Sequence, residues 1–236
     1  MDAAGYTTLT RQSGLLREMQ VVANNIANLS TTGFRREGVV FSEYVRRLED
    51  APSLSMAHAG ARHVDLSQAG LSRTGGTFDL GIQGEGFFQI QTPEGNRLTR
   101  AGSFTPSAEG VLVTPDGHLL LDEGGAPVFV PPGLRDVAVA EDGTVSAAGA
   151  PLARIGLWQP VDPLSLRHEA GTQFSATDME PAEGGVMLQG FLEDSNVQPV
   201  AEIARMIEVQ RAYEMGQKFL EAEDKRTRGV IEALGR

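Results

Sequence analysis

The segment FFQIQTPEGNRLT, residues 87–99, is the stretch that decides the fold class of this 236-residue chain. Two runs of β-forming residues flank a short turn that contains Gly, which is a local signal for a β-hairpin. The pattern recurs at TPDGH, residues 114–118, between VLV and LLL, and at AEDGT, residues 140–144, between VAVA and VSA. We therefore predict a central, turn-rich antiparallel β domain over residues 66–192.

Composition and charge narrow the classes of partner. The 20 basic and 31 acidic residues give a net charge of −11, which repels nucleic acid and anionic lipid. No segment approaches the roughly 20 consecutive apolar residues that a membrane span needs. We expect no nucleic-acid partner and no direct membrane insertion. The first residues lack the basic start and apolar core of a cleavable signal peptide.

The N-terminal region has the periodicity of an amphipathic helix from Tyr6 to Leu29. Its apolar residues recur at helical spacing and show heptad character; they are Leu9, Leu16, Met19, Ala23 and Ile26. The Ser-Thr-Thr-Gly sequence at residues 30–33 ends the pattern, and Gly33 suits a left-handed cap.

The C-terminal region is also predicted to be helical. Asn196 suits an N-cap, and Pro199 falls near the first turn, where a missing N–H costs little. The spacing of three and four is typical of a coiled-coil seam and joins Met206, Val209, Tyr213, Gly216 and Leu220. Gly216 costs about 1 kcal/mol of helix propensity against Ala, so its presence suggests a close approach of a neighbouring backbone.

The predicted layout is an N-terminal helical segment (1–47), a linker or extended loop (48–65), the β domain (66–192) and a C-terminal helix (193–236). Residues 48–64 show no clear period. A single amphipathic stripe cannot bury itself. The two terminal stripes therefore pack against each other or against copies of the chain, or else on the β domain as ordinary core helices.

Residues that could support catalysis or metal binding are not arranged for it in the sequence. The four histidines (His58, His63, His118 and His168) have no second ligand at i+3 or i+4, and there is no cysteine. The pairs Glu193–Asp194 and Glu223–Asp224 are interpreted as acidic pairs on helix-flanking or exposed positions. We predict no catalytic, metal or cofactor-binding residue, no cofactor, and no enzyme activity. A hydrolase that uses unrecognised carboxylates is the least favoured of the possible functions.

Three asparagines, Asn24, Asn25 and Asn28, lie within five positions of the N-terminal helix. Asn disfavours helices because its amide competes with the backbone for hydrogen bonds. Amides at a helix–helix contact specify register at some cost in stability. The cluster therefore favours a contact between helices over ordinary core packing.

Three sequence blocks, in order along the chain, resemble the signatures of bacterial flagellar rod and hook proteins. They are VVANNIANLSTTGFRREGVVF (21–41), GEGFFQIQTPEGNRLTRAGSFTPSAEGVLVTPDGHLLL (84–121) and LEDSNVQPVAEIARMIEVQRAYEMGQKFLEAEDK (192–225). The chain length and its opening are most similar to proximal rod members of that family. Distal rod members are the alternative.

The resemblance implies a structural protein that catalyses no reaction. It implies that the terminal helices pair as a coiled-coil layer inside a hollow axial tube, with the β domain outside, and that the tube transmits motor torque to the hook. The implied partners are copies of the chain, neighbouring rod proteins and the flagellar type III export machinery. The implied location is the basal-body rod in the periplasm, reached without a cleaved signal peptide. The alternative from another class is a soluble β-rich binding module that oligomerises through its terminal helices.

The resemblance and the helical stripes together predict residues for the interface between subunits. On the N-terminal side these are Leu9, Leu16, Met19, Asn24, Asn25, Ile26 and Asn28. On the C-terminal side they are Asn196, Met206, Val209, Gln210, Tyr213, Gly216 and Leu220.

Overall fold

The structure is a computed structural model that describes residues 3–46, 54–134 and 136–234. Within these ranges it has α1 (Ala3–Ala27), α2 (Pro199–Leu234) and a 3₁₀ turn (Pro163–Ser165). The strands are β1 (Glu37–Arg46), β2 (Leu54–Val64), β3 (Leu71–Arg73), β4 (Leu80–Gln83), β5 (Phe87–Thr92), β6 (Gly95–Thr99), β7 (Thr105–Pro106), β8 (Leu112–Val113), β9 (Leu119–Leu120), β10 (Val137–Val139), β11 (Thr144–Ala147), β12 (Ala150–Arg154), β13 (Leu157–Pro160), β14 (Arg167–His168), β15 (Gln173–Ser175), β16 (Met179–Pro181), β17 (Val186–Gln189) and β18 (Phe191–Glu193).

The three hairpins predicted from their turns are confirmed. Strands β5 and β6 pair antiparallel up to Thr92 and Gly95, and Gly95 has the positive φ that such a turn requires. Strands β8 and β9 pair across the TPDGH turn, and β10 and β11 pair across the AEDGT turn. The prediction of a mainly β chain with terminal helices is also confirmed.

The strands form one large antiparallel sheet and several small ones. The nine-stranded sheet has the order β14-β15-β6-β5-β9-β8-β7, with β13 and β16 joined beside β5, and a three-stranded sheet has the order β10-β11-β12. Two further pairs, β17–β4 and β18–β3, bring the end of the β region back to its beginning. The largest buried cluster contains Leu80, Ile82, Phe88, Ile90, Phe104, Leu112, Leu120, Val128, Val130, Val139, Val145, Ile155 and Met187.

The chain divides into two compact units. Unit 1 contains both α-helices together with residues 37–63, which supply β1 and nearly all of β2. Unit 2 contains residues 28–36 and 64–197 and holds all the other strands. Each unit is therefore assembled from segments that are far apart in sequence.

Several predicted boundaries differ from the structure. The segment 48–65 was expected to be a linker or extended loop, but Leu54–Val64 is a strand that pairs with β1; residues 48–53 lie outside the described ranges. The N-terminal segment also includes β1 after its helix. In the C-terminal segment, β18 ends at Glu193 before α2 begins at Pro199. The irregular composition of 48–64 concealed the strand because its residues do not alternate between apolar and polar.

Gly33 has the left-handed conformation that the sequence predicts, with φ of +71°. It does not cap α1, which ends at Ala27, but lies in the turn that follows. A Cβ atom on Gly33 would come within 2.3 Å of the Ala101 nitrogen. Close approach of two backbone segments, as well as the positive φ, therefore requires glycine here.

Candidate assembly interface

Helices α1 and α2 of unit 1 pack side by side in opposite directions. Gln12 donates a hydrogen bond from Nε2 to the Tyr213 carbonyl at 2.8 Å, and Arg205 donates from Nε to Glu18 Oε1 at 2.7 Å. Asn25, near the end of α1, contacts Glu202, near the start of α2. Because residue numbers rise along α1 as their partners' numbers fall along α2, the pair is antiparallel.

Gly216 lies where the side chain of Gln12 from α1 packs on α2. A Cβ atom at this position would be 2.2 Å from Gln12 Nε2, which is too close for any real contact. The Gln12 side chain is buried against the α2 backbone here and donates to Tyr213 O. The close neighbour that Gly216 admits is thus a side chain and not the backbone that the sequence suggested.

Asn25 is the centre of a buried polar cluster in unit 1. Its side chain is fully buried and bonds both backbone groups of Glu37: Oδ1 accepts from the N–H at 3.0 Å, and Nδ2 donates to the carbonyl at 2.9 Å. Nδ2 also lies 3.2 Å from Glu202 Oε2, and both glutamates are buried. One amide therefore ties α1, the start of β1 and the start of α2 together within the chain.

The ion pair of Arg205 reinforces the helix pair at a partly exposed position. Partial burial acts to lower the pKa of Arg205, but the hydrogen bond and charge of Glu18, with those of Glu208, raise it on balance. The Arg205 side chain is about half exposed. Solvent screens such a pair, so its contribution to stability is small.

Apolar side chains remain exposed on the outer surfaces of both helices. On α1 these are Leu9 and Leu16. On α2 they are Val200, Ile203, Ile207, Met215, Phe219, Val230, Ile231 and Leu234. Beside Gly216, a groove of about 350 Å³ is lined by Leu15, Met215 and Phe219 among others. Exposed apolar side chains along a helix can supply the surface for a protein–protein contact.

Unit 2 contains a buried charge cluster formed by Arg35, Arg100 and Glu193. Arg35 Nη2 lies 2.9 Å from Glu193 Oε1, Arg100 Nη1 lies 3.3 Å from Glu193 Oε2, and all three side chains are at most 3% exposed. Glu193 Oε1 also accepts from the Ala69 N–H at 2.9 Å. Arg35 Nη2 and Glu193 Oε2 make no well-aligned hydrogen bond within the described residues, so charge rather than hydrogen-bond direction holds them.

The two buried arginines share one carboxylate. Burial lowers the pKa of Arg100 to about 10 and Arg35 adds to the lowering, although the charge of Glu193 opposes it. Burial also lowers the pKa of Arg35, against the opposing effect of Glu193. Arg100 further donates from Nη2 to the Gly84 carbonyl at 2.6 Å. Glu193 is therefore the counter-charge on which both guanidinium groups depend.

The described residues contain no group of three or more side chains that could hold a metal ion. Neither described helix contains an apolar window of the length and hydropathy that a membrane span requires.

Comparison with known proteins gives matches along most of the chain. Residues 6–35 match the family described as "Flagella basal body rod protein", residues 81–147 match "Flagellar hook protein FlgE/F/G D1 domain", and residues 188–231 match "Flagellar basal body rod FlgEFG protein C-terminal". The flagellar basal-body rod protein FlgF of Caulobacter vibrioides is 38% identical over 100% of this chain and 99% of that protein. The chain belongs to the flagellar basal-body rod family.

Two further relatives place the chain within this rod family. FlgF of Rhizobium meliloti is 33% identical over 100% of this chain and 99% of its own length. FlgG of Buchnera aphidicola subsp. Acyrthosiphon pisum is 31% identical over 88% of this chain and 90% of its own. The predicted resemblance to the rod family is confirmed, and the similarity to FlgF is greater than that to FlgG. The chain is a structural rod protein and not an enzyme.

The predicted interface residues of this rod protein divide by burial. Val209 and Asn25 are buried within the chain, whereas Leu9, Leu16 and Gln210 are exposed. The remaining nine are half-buried: Met19, Asn24, Ile26, Asn28, Asn196, Met206, Tyr213, Gly216 and Leu220. Asn25 thus acts inside the subunit, in contrast to the role between subunits expected for all three asparagines.

Asn196 does not cap α2, which begins at Pro199 and starts its hydrogen bonding from the Gln198 carbonyl. Its Oδ1 accepts from the Arg36 N–H at 2.6 Å, and its Nδ2 donates to the carbonyls of Asp65 and Ser67, each at 3.0 Å. The side chain therefore joins three separate segments of unit 2. A capping role was expected because Asn precedes the helix closely in sequence.

Sequence reasoning missed the charge cluster and misplaced one of its members. Glu193 was expected on a helix-flanking or exposed position but is 1% exposed, whereas its neighbour Asp194 is exposed as expected. The only available signal was Arg35 beside Phe34, both inside the N-terminal signature block. Nothing local to either residue shows that they meet.

Proposed function

We propose that this protein is a subunit of the proximal part of the flagellar rod. It assembles through its terminal helices with copies of itself and with neighbouring rod proteins. The observation that carries the proposal is similarity to FlgF over the whole chain, combined with exposed apolar residues on both terminal helices. Membership of the family supports the role of rod subunit, and the exposed apolar residues of the helices supply the surface through which the subunit binds its neighbours.

In the assembled rod, the helices of unit 1 form a coiled-coil layer around a hollow axis, and the β domain faces outward. The heptad spacing of Val209, Gly216 and their neighbours supports this arrangement, since such spacing is typical of helix seams. Contacts between subunits that repeat head to tail without closing produce a polymer rather than a ring. A tube of this kind transmits torque from the motor to the hook.

The residues proposed for contacts between subunits are those that the chain itself leaves accessible. Leu9 and Leu16 on α1 supply apolar area, and Asn24 supplies an amide that fixes axial register. Each apolar side chain contributes about 1.5–3 kcal/mol when fully buried. Asn28, Met19, Ile26, Met206, Gln210, Tyr213 and Leu220 belong to the same proposed surface.

The proposed location is the periplasmic part of the basal body, reached through the flagellar type III export machinery. Export in an unfolded state suits a chain without cysteines, because no thiol can form a covalent bond before assembly. The export machinery is thus a transient partner of the chain, whereas the neighbouring rod proteins are its permanent partners.

The test is deletion of the gene, followed by a swimming assay and electron microscopy of isolated basal bodies. We expect loss of swimming and rods that end near the inner membrane, with both defects repaired by the wild-type gene. Rods that end near the outer membrane would instead support the distal position, which the similarity to FlgG keeps as the second candidate. Normal swimming with intact rods would contradict any rod function and favour the soluble binding module.

A further inference from the structure

A cavity of about 510 Å³ lies within unit 2, and all the residues that line it belong to that unit. Its lining includes the segment 84–87, which joins β4 to β5, and residues of the segment 159–163, which begins in β13. The volume falls within the roughly 300–1,000 Å³ that is typical of small-molecule sites. The cavity therefore has room for a small organic ligand.

Hydrogen bonds hold one wall of the cavity in place. Gln68 donates from Nε2 to the Ile82 carbonyl at 2.9 Å, and its Oε1 accepts from the Gly84 N–H at 3.0 Å. The Gly84 carbonyl in turn accepts from Arg100 Nη2 at 2.6 Å. This wall is thus formed before any ligand binds, as in most ligand sites.

Apolar side chains supply part of the lining from the interior to the surface. Phe87 and Pro160 are buried, whereas Leu66 and Val161 are 40% and 57% exposed. An aliphatic chain that lies against these four residues is removed from water, which favours its binding. The lining therefore suits a ligand that contains methylene groups.

The buried part of the lining carries positive charge. Arg100 lines the cavity although it is only 3% exposed, and its guanidinium carbon lies 5.4 Å from the centre of the Phe87 ring. Arg100 and Arg35 share the single carboxylate of Glu193, so this buried cluster has one positive charge in excess. The Arg100 Nε is buried and has no hydrogen-bond acceptor within the described residues.

The exposed part of the lining carries negative charge. Glu85 and Glu180 both line the cavity, and both side chains are exposed. Gln159 donates from Nε2 to Glu180 Oε1 at 2.9 Å, which holds that carboxylate in place. The charge of Glu85 also acts on Arg100, but water screens it because the Glu85 side chain is exposed. The cavity thus presents opposite charges at its buried and exposed parts.

We propose that this cavity binds a small zwitterion whose carboxylate and ammonium groups are separated by an aliphatic chain. The carboxylate lies toward Arg100, the methylene groups contact Phe87 and Val161, and the ammonium group lies toward Glu85 and Glu180. A simple anion is repelled by the two glutamates, and a simple cation by the buried excess charge. Amino acids with an amino group at the end of an aliphatic side chain are the ligand class. The site goes beyond the rod function, because it uses no residue of the terminal helices.

The test is isothermal titration calorimetry of the full-length protein with three probes that share a six-carbon chain: 6-aminohexanoate, hexanoate and hexylamine. We expect saturable binding of 6-aminohexanoate with a dissociation constant of about 1 mM or lower, and binding of the other two at least about tenfold weaker. Equal affinity for all three probes would show that only the aliphatic chain is recognised and would overturn the proposal. Absence of saturable binding of 6-aminohexanoate would overturn it as well.

A double variant at the exposed part of the lining, Glu85→Gln/Glu180→Gln, locates the binding without disturbing the buried arginines. Its affinity for 6-aminohexanoate should fall at least about tenfold, whereas its affinity for hexanoate should rise because the repelling carboxylates are gone. A merely structural defect would weaken the binding of both probes. Unchanged binding of 6-aminohexanoate in this variant would show that the ligand binds elsewhere and would reject the site.

Glu94→Gln is the matched control, because Glu94 is exposed in the turn between β5 and β6 and does not line the cavity. Its affinity for 6-aminohexanoate should equal that of wild type. A loss as large as that of the double variant would show that the net charge of the chain controls binding, and would overturn the proposal. The rod function is tested separately, in cells that lack the gene.

Discussion

Glu193 neutralises two buried cations of unit 2, Arg35 and Arg100. In Glu193→Gln the shape of the side chain is kept, but Arg35 and Arg100 lose the counter-charge that they share. Breaking a buried pair by removing one partner costs about 3–5 kcal/mol, because the other charge stays buried. We expect a loss of that size in the free energy of unfolding, measured by urea denaturation followed through Trp158 fluorescence.

Asp194→Asn is the matched control for Glu193→Gln, because the neighbouring carboxylate is exposed and accepts a hydrogen bond from the Ser72 hydroxyl at 2.7 Å. Its free energy of unfolding should stay within about 0.5 kcal/mol of wild type. A Glu193→Gln variant as stable as Asp194→Asn would show that the buried cluster contributes nothing net.

Asn24 and Asn25 are neighbours with different environments, and their variants should separate folding from assembly. Asn25→Leu leaves the buried N–H and carbonyl of Glu37 unpaired and should cost about 1–3 kcal/mol of monomer stability. Asn24→Leu, at a half-buried position, should cost less stability than Asn25→Leu, permit export and impair rod assembly. The measurements are far-ultraviolet circular dichroism during denaturation, and swimming. Normal swimming in Asn24→Leu would remove that amide from the interface.

At the scale of elements, the contact between α1 and α2 at Gly216 should appear as coupling between two substitutions. Gly216→Ala gains about 1 kcal/mol of helix propensity, but its Cβ would displace Gln12 from Tyr213. In the Gln12→Ala background that obstacle is absent. We expect Gly216→Ala to be at least about 1 kcal/mol more favourable there than in wild type, in a double-mutant cycle of unfolding free energies.

Gly229→Ala is the control for this cycle, since the space around Gly229 in the same helix is open. It should stabilise equally in both backgrounds. Equal effects of Gly216→Ala in both backgrounds would show that Gln12 moves aside without cost.

The turn between β10 and β11 should have a pH-dependent contribution to stability. The N–H and hydroxyl of Thr144 each donate to the Asp142 carboxylate at 3.0 Å, and these bonds lower the pKa of Asp142. A lowered carboxylate pKa adds stability above the ordinary value of about 3.9, which is lost as the pH falls through the lowered pKa. The melting temperature of Asp142→Asn should therefore be lower than that of wild type at pH 7, and the difference should vanish near pH 2. Both melting temperatures are measured by Trp158 fluorescence.

Asp116→Asn is the comparison for this turn, because the Asp116 carboxylate accepts no hydrogen bond from the described part of the chain. Its melting temperature should equal that of wild type at pH 7. If the melting temperatures of Asp142→Asn and wild type still differed by the same amount at pH 2, the charge of Asp142 would be excluded as the cause of the difference.

The elements that could be predicted are those whose signals are local. The three hairpins follow from Gly-containing turns between β-forming runs, and both helices follow from their apolar periodicity. Two features could not be predicted. The residues of strand β2 do not alternate between apolar and polar, and the cluster of Arg35, Arg100 and Glu193 joins residues that are far apart in sequence. From the sequence alone, the charged residues of this cluster are predicted to be exposed, because only the contacts within the folded chain show that their charges are paired.

On the scale of the whole molecule, the two units have cores of very different size. Among the described residues, the buried apolar side chains of unit 1 are Leu15, Val21, Val22 and Val209, whereas the main cluster of unit 2 alone contains thirteen. Each buried side chain of this kind contributes about 1.5–3 kcal/mol. Unit 1 should therefore be the less stable unit in the free subunit.

The chain carries separate spectroscopic reporters for the two units. Both α-helices of the described residues lie in unit 1, and the single tryptophan, Trp158, lies in unit 2. On heating the free subunit, circular dichroism at 222 nm should fall at a temperature roughly 10 °C or more below the change in Trp158 fluorescence. Asn25→Leu should move only the first transition and Glu193→Gln only the second. Coincident transitions in wild type, or a shift of both by either variant, would show that the chain unfolds as one cooperative unit.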